Sequence, residues 1–151
     1  MLAADTSLAL APHHDGSALY AQTPAVLQLG DRVRVRLRVP AGAGAPHAVW
    51  LRSLRDGEPH LEPATPEPGD GTGDWFTATL DITNPVQRYR WYLAYAAATG
   101  HTEYRWFNAT GLHRRDVPDA FDFRVHADFT TPGWVKESIM YQVFPDRFAN
   151  S

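Results

Sequence analysis

The chain has 151 residues, a net charge of −3 and no cysteine. Hydrophobic residues make up 44% and charged residues 21%, which is typical of a globular domain and not of a disordered chain. The sequence contains no basic block, which argues against nucleic acid and against an anionic membrane as partners. The lack of cysteine excludes a disulfide scaffold and a thiolate metal site. A chain of this length is sufficient for one domain with its own core.

The N-terminal residues, MLAADTSLALAPHHDG, lack the pattern of a targeting segment. No Lys or Arg precedes an apolar stretch, and the apolar residues 8–11 are too few for a signal sequence or a membrane span. We therefore expect a cytoplasmic protein. Residues 1–22 are weakly patterned and are predicted to form an N-terminal tail or a first strand, with a turn or tail at residues 13–17.

Alternation of apolar and polar residues predicts strands along the rest of the chain. Residues 32–39 give the clearest one, because four aliphatic side chains alternate with arginines at positions 32, 34, 36 and 38 and so face the other way. Asp56-Gly57 is a hairpin signal, and the Pro- and Gly-rich residues 61–74 indicate a long irregular loop. Further strands are predicted from Ala48 and over residues 75–83, 88–96, 103–107 and 121–125.

The predicted strands define the fold class. About seven short strands, with turn signals between them and no convincing helix, predict an all-β fold, an immunoglobulin-like β-sandwich over residues 23–129. A hinge then leads into the last stretch, residues 134–151, whose apolar run before Pro145 is typical of a fully buried parallel strand. Such a strand needs neighbours on both sides, so we expect the chain to be the front part of something larger.

The last stretch, WVKESIMYQVFPDRFANS, resembles the start of the catalytic barrel in the α-amylase family (glycoside hydrolase family 13). The branch it resembles contains neopullulanases, cyclomaltodextrinases and maltodextrin glucosidases, and the form around Asp146 and Ser151 is most similar to the glucosidases. The matching positions are Trp134, Tyr141, Gln142, Phe144, Pro145, Asp146, Arg147, Phe148 and Ala149.

The resemblance implies a division of the chain into domains. Residues 130–151 are then the hinge and the first strand of a truncated (β/α)₈ barrel, since a whole barrel needs about 250 residues. The residues before the hinge are the β-domain that this branch carries in front of its barrel, similar to carbohydrate-binding module family 34.

The resemblance also implies an activity, the retaining hydrolysis of α-glucans. This reaction needs two carboxylates about 5 Å apart, one as nucleophile and one as acid/base. In the family these residues lie on later barrel strands, so no catalytic residue is expected before the end of this chain at Ser151. The chain by itself is therefore predicted to be inactive, and no cofactor is required for the reaction.

Asn150 is the candidate metal ligand. In neopullulanase-like enzymes the matching Asn begins an Asn-Gly-Asp loop whose oxygens bind calcium, which prefers hard oxygen ligands. The resemblance thus implies Asn150 as a partial calcium ligand in the full-length enzyme. A structural Asn is the favoured alternative, because Ser151 replaces the Gly. The adjacent Asp146 and Arg147 are interpreted as a structural ion pair.

Two tryptophans, Trp75 and Trp106, are candidates for contact with the substrate. Exposed aromatic rings stack well on the apolar C–H faces of sugars, although most large aromatics in a small sandwich fill its core. Trp75 lies opposite the Phe76 face of its strand and is expected to be exposed. Trp106 resembles an aromatic residue that the family has near the junction with the barrel. Trp91 is predicted to be part of the core.

Two charged stretches have alternative interpretations. The four arginines of residues 32–38 are predicted to form a solvated sheet face, or else a surface towards the barrel or a partner subunit. Residues 70–74, DGTGD, hint at a calcium or phosphate loop but match no full motif, so an ordinary loop is predicted.

Three functions remain open. The first is an accessory domain of an α-glucan hydrolase, which contacts its own barrel, shapes the cleft for short maltodextrins and contributes to a homodimer. The second is a stand-alone starch- or maltodextrin-binding module. The third is an immunoglobulin-like interaction domain without a carbohydrate role. The first requires a barrel after residue 151, and the second requires that the isolated chain binds maltodextrin.

Overall fold

Ten strands form two antiparallel sheets in the computed structural model, which describes residues 12–69, 71–128 and 133–139. The strands are β1 (Ala21–Gln22), β2 (Arg32–Pro40), β3 (Ala48–Arg55), β4 (Glu58–Pro63), β5 (Thr65–Glu67), β6 (Gly73–Asp81), β7 (Val86–Ala96), β8 (Thr102–Asn108), β9 (Gly111–His113) and β10 (Phe123–His126). Two 3₁₀ helices, Asp119–Phe121 and Gly133–Glu137, are the helical elements of the described residues.

The two sheets differ in size and in strand order. The first sheet has the order β1-β2-β6-β5 and the second the order β4-β3-β7-β8-β9, with β10 also paired to β7. Strand β7 has β3 on one side, while β10 and β8 follow one another along its other side. The predicted all-β sandwich is confirmed.

The inward faces of both sheets form one apolar core. The aliphatic side chains of β2 and the inward residues of β7 are at most 1% exposed: Val33, Val35, Leu37, Val39, Tyr89, Trp91 and Leu93. Burial of these residues follows from the period-two alternation of their strands, which places every second side chain on the same face. The prediction that Trp91 is a core residue is confirmed.

The predicted hairpin at Asp56-Gly57 is confirmed. Asp56 and Gly57 have φ angles of 50° and 85°, the left-handed conformation of both residues that a tight two-residue hairpin turn requires. This turn joins β3 to β4 in the second sheet.

The predicted irregular loop over residues 61–74 is wrong for most of its length. Strand β4 extends to Pro63, β5 covers Thr65–Glu67, and the chain passes from the second sheet to the first at Ala64. Prolines are tolerated here because β4 and β5 are edge strands, where a missing N–H removes no bond of an inner ladder.

The C-terminal part of the chain also departs from the sequence prediction. Strand β10 begins at Phe123, whereas Phe121 ends a 3₁₀ helix and is 52% exposed. The predicted barrel strand lies almost entirely outside the described residues. None of the helices in the described ranges is long and apolar enough to cross a membrane.

The N-terminal segment contributes a buried histidine that the prediction of a turn or tail at residues 13–17 did not foresee. His14 is 3% exposed and packs edge-on against Phe123, with ring centroids 4.4 Å apart. Its Nδ1 donates to the Arg36 carbonyl at 2.7 Å, and its Nε2 lies 2.8 Å from the Tyr89 hydroxyl, which therefore donates to it. Residues 12–22 are thus part of the sandwich.

Burial of His14 makes the stability of the domain depend on pH. Desolvation lowers the pKa of His14 from 6.5 to about 4. Between these two values the unfolded chain binds a proton that the folded chain does not, so this contribution is complete above pH 6.5 and is lost as the pH falls towards 4.

We predict that the His14→Gln variant loses this pH dependence. The free energy of unfolding of the unmodified chain should rise by at most about 3 kcal/mol from pH 4 to pH 6.5 through His14, and the variant should show a correspondingly flatter profile. Urea denaturation at several pH values measures this. His47→Gln, at an exposed position, is the control. Equal slopes for the variant and the unmodified chain would contradict the assignment.

Candidate functional site

An aromatic stripe crosses the outer face of the second sheet. Its members are Trp50 on β3, Tyr92 on β7, and Tyr104 and Trp106 on β8. Trp50 is directly opposite Tyr92, and Tyr92 directly opposite Trp106, so the three side chains lie on the same face of the sheet. This is the face away from the core residue Trp91, which precedes Tyr92 on the same strand.

The rings of the aromatic stripe contact one another. Tyr92 lies 4.2 Å from Trp106 and 5.6 Å from Trp50, with interplanar angles of 31° and 40°. Tyr104 stacks on Tyr92 at 5.1 Å and 7°. The Tyr104 side chain is 47% exposed, and Trp50, Tyr92 and Trp106 are partly exposed. The stripe is therefore a continuous and accessible aromatic surface.

Two further residues extend the aromatic stripe towards the edges of the sheet. Pro63 on β4 is opposite Trp50, and His113 on β9 is opposite Trp106. The line of outward side chains thus runs across five strands, which at about 4.8 Å per strand spacing is roughly 19 Å.

The polar atoms of the stripe suit hydroxyl-rich ligands. Desolvation, with the neighbouring Tyr104 hydroxyl as a smaller cause, raises the pKa of Tyr92 above its usual value. Its hydroxyl therefore stays protonated at neutral pH and can donate a hydrogen bond. An apolar platform with a few polar groups at its margin is the surface on which a sugar ring stacks with its C–H face and is oriented by its hydroxyls.

The structure brings one of the two predicted substrate contacts into this surface. Trp106 is in the aromatic stripe, next to Trp50 and Tyr92, which the sequence did not single out as partners. The signal that could have found the stripe is the register of the strands, since each ring lies on the outward face of a different strand. Contact of Trp106 with substrate stays a prediction.

Trp75, the other predicted contact, is 7% exposed, and the expectation of an exposed ring is wrong. It does lie on the outer face of the first sheet, but Tyr20 stacks on it at 5.6 Å and 26°. The Arg36 guanidinium covers the ring as well, 4.2 Å from its centre. Alternation along a strand predicts the face on which a ring lies but not whether another segment covers that face.

The structure does not test Asn150 as a metal ligand, whereas it does place the arginines of residues 32–38. Asn150 lies outside the described residues, as does Asp70 of the predicted 70–74 loop. Within the ranges that the structure describes, no group of three or more His, Cys, Asp or Glu residues could hold a metal ion. The arginines of β2 line one sheet face as predicted, where Arg32 lies 3.1 Å from Asp81 and Arg36 lies 2.9 Å from Glu67.

A buried arginine next to the aromatic stripe was missed by the sequence analysis. Arg90 lies on the outer face of β7, opposite Arg52, yet it is 0% exposed. Its Nη1 donates to Asp116 at 2.8 Å and to the Val117 carbonyl at 2.5 Å, and its Nη2 donates to Asp119. The segment from Asp116 to Asp122 therefore covers Arg90 and pairs with it.

Asp122 is a third aspartate that pairs with Arg90, and it is buried, with 3% of its surface exposed. Its Oδ1 lies 2.7 Å from the Nε of Arg90, as an ion pair that lacks hydrogen-bond geometry. Desolvation raises the pKa of Asp122, and the positive charge of Arg90 opposes that rise. Arg52 adds a second cation, 2.9 Å from Asp119. We call Arg52, Arg90, Asp116, Asp119 and Asp122 the arginine cluster. The three aspartates at intervals of three residues are the only sequence signal for it.

Comparison with known proteins finds that the chain is similar to part of a neopullulanase and to part of a cyclomaltodextrinase. It is 32% identical over 145 residues to Neopullulanase 2 of Thermoactinomyces vulgaris. The aligned region covers 91% of this chain and 23% of that protein. Its fold matches a solved cyclomaltodextrinase with a TM-score of 0.60 and 23% identity, over 93% of this chain and 24% of that one. No family model matches the chain. The chain thus spans about a quarter of the length of these proteins.

We predict that replacement of Arg90 by Met strongly destabilises the domain. The change removes the nearer cation of the buried Asp122 and leaves it only Arg52, at 3.9 Å, and breaking a buried ion pair costs up to about 3–5 kcal/mol. Arg32→Met is the control, because the Arg32 side chain is 72% exposed and its ion pair with Asp81 should contribute less than about 1 kcal/mol. Urea denaturation measures both. Similar losses in the two variants would contradict a special role of the buried pair.

Proposed function

We propose that the chain is the N-terminal accessory domain of a retaining α-glucan hydrolase of the α-amylase family, because it is similar to Neopullulanase 2 and shares the fold of a solved cyclomaltodextrinase. The observation that carries this proposal is the sequence similarity to Neopullulanase 2, which extends over nearly the whole chain. A catalytic barrel in the same polypeptide is the first partner of such a domain.

Several carboxylates of the described residues are engaged by arginines and are not open to a substrate. A glycosidase acid must hold its proton and a nucleophile must be free to attack, which requires carboxyl groups open to a substrate. Several carboxylates of this chain are instead paired with arginines: Glu67, Asp81, Asp116, Asp119 and Asp122. We therefore propose that the isolated chain does not hydrolyse glycosidic bonds.

The aromatic stripe supports a role in substrate contact. A line of ring faces across the second sheet offers several adjacent stacking positions, which suits an oligosaccharide better than a single sugar. We propose that the stripe holds part of a short maltodextrin and that the domain thereby shapes the cleft of the whole enzyme. A cytoplasmic location, maltodextrin glucosidase specificity, calcium in the full-length enzyme and a homodimer through this domain belong to the same proposal.

The same observation favours a second candidate function. If the aromatic stripe is sufficient for binding, the domain is a stand-alone starch- or maltodextrin-binding module that needs no barrel. An immunoglobulin-like interaction domain without a carbohydrate role is the further alternative, and it predicts no binding of maltoheptaose.

We predict that the chain binds maltoheptaose and that Trp106→Ala weakens this binding roughly fivefold or more, since a lost aromatic contact costs about 1 kcal/mol or more. Isothermal titration calorimetry measures the affinity. Trp134→Ala removes an exposed tryptophan that is not in the stripe and is the matched control, because its side chain is 61% exposed.

The same samples test the accessory role. Incubation of the chain with maltoheptaose should release no reducing sugar, and any release that requires the folded chain would contradict a purely accessory domain. Absence of binding would rule out the stripe as a binding surface. Equal losses of affinity in the Trp106 and Trp134 variants would also rule out the stripe as the binding surface.

A further inference from the structure

The guanidinium of Arg90 lies beside the aromatic stripe. Its Cζ is 5.8 Å from the centre of the Trp106 ring, within the distance of a cation–π contact. The register explains this proximity, because Trp106 is opposite Tyr92 and Arg90 is two residues before Tyr92 on the same face of β7. Arg90 and Trp106 are therefore diagonal neighbours, a separation that long side chains reach.

Arg90 has little freedom to move. Its side chain is 0% exposed, its Nη1 donates to Asp116 and to the Val117 carbonyl, and its Nη2 donates to Asp119. Asp122 lies 2.7 Å from Nε as an ion pair without hydrogen-bond geometry. A planar guanidinium held along both edges keeps a fixed orientation. The ring next to it then has a rigid neighbour on the side away from Tyr104.

The Trp106 ring is thus in contact with a rigid cation and with Tyr92, which is 4.2 Å away. A partly exposed tryptophan normally samples several rotamers, and a ligand that stacks on it loses free energy when it selects one of them. A ring that is already held in one orientation binds without that loss.

We propose that Arg90 is a positioning residue for sugar binding: it fixes the orientation of Trp106 in the aromatic stripe, and the aspartates of the arginine cluster fix Arg90. This inference rests on the proposed contact between the stripe and maltodextrin. According to this proposal, residues 116–122 contribute to the affinity of the aromatic stripe for maltodextrin, although none of them is a member of the stripe.

The test uses Asp119→Asn, because variants of Arg90 itself are expected to unfold readily. Asp119 binds Arg52 and Arg90, and its side chain is 41% exposed, so the amide leaves no buried charge at that position. Asp81→Asn is the matched control. Asp81 also binds two arginines, Arg32 and Arg55, its side chain is 31% exposed, and it lies on the first sheet.

Two readouts are measured on the 151-residue chain. The first is the affinity for maltoheptaose, which should fall roughly three- to tenfold in Asp119→Asn and remain unchanged in Asp81→Asn. The second is the indole N–H resonance of Trp106, identified by its loss in Trp106→Phe. It should shift or broaden in Asp119→Asn and remain unchanged in Asp81→Asn.

A double variant separates positioning from general stability. In the Trp106→Phe background, Asp119→Asn should cause no further loss of affinity beyond that of Trp106→Phe alone. An equal additional loss in that background would overturn the proposal, as would an unchanged Trp106 resonance in Asp119→Asn. If the unmodified chain does not bind maltoheptaose, the proposed function of the stripe fails, and the Trp106 resonance alone decides whether Arg90 positions the ring.

Discussion

Strand β7 is buried along its inner face and, at Arg90, on its outer face as well, and the rest of the domain is arranged around this constraint. Its inward residues Tyr89, Trp91 and Leu93 fill the core, while its outward residue Arg90 is equally inaccessible. A strand of this kind needs cover on its outer side, and a charged residue at its centre needs opposite charges in that cover. The segment from Asp116 to Asp122 supplies both, and the aromatic stripe begins where that cover ends.

The sequence predicted the features that depend on local periodicity. The inward aliphatics of β2, the core position of Trp91 and the Asp56-Gly57 turn follow from alternation and turn chemistry, which act over a few residues. It could not predict the cover of Trp75 by Tyr20 or the burial of Arg90. Those depend on contacts between segments far apart in the chain, for which one sequence carries no periodic signal. The register of β3, β7 and β8 likewise had to be known before Trp50, Tyr92 and Trp106 could be recognised as one surface.

The outer faces of the two sheets have different chemistry. On the first sheet, Arg34 and Arg36 share Glu67 and the one tryptophan is covered, so that face is closed by ion pairs and offers no stacking surface. On the second sheet, the arginine cluster covers one part of the outer face and the rings beside it are accessible. An accessory domain that presents one face to an oligosaccharide requires such an asymmetry. It explains why the proposed contact surface is on the second sheet.

The central claim is that the aromatic stripe is the surface on which this domain holds a maltodextrin. The most direct measurement follows the indole N–H resonances of the 5 tryptophans during titration with maltoheptaose. The account predicts shifts for Trp50 and Trp106 and none for Trp75 and Trp91, which are 7% and 0% exposed. Shifts confined to other tryptophans, or no shift at all at saturating maltoheptaose, would contradict it.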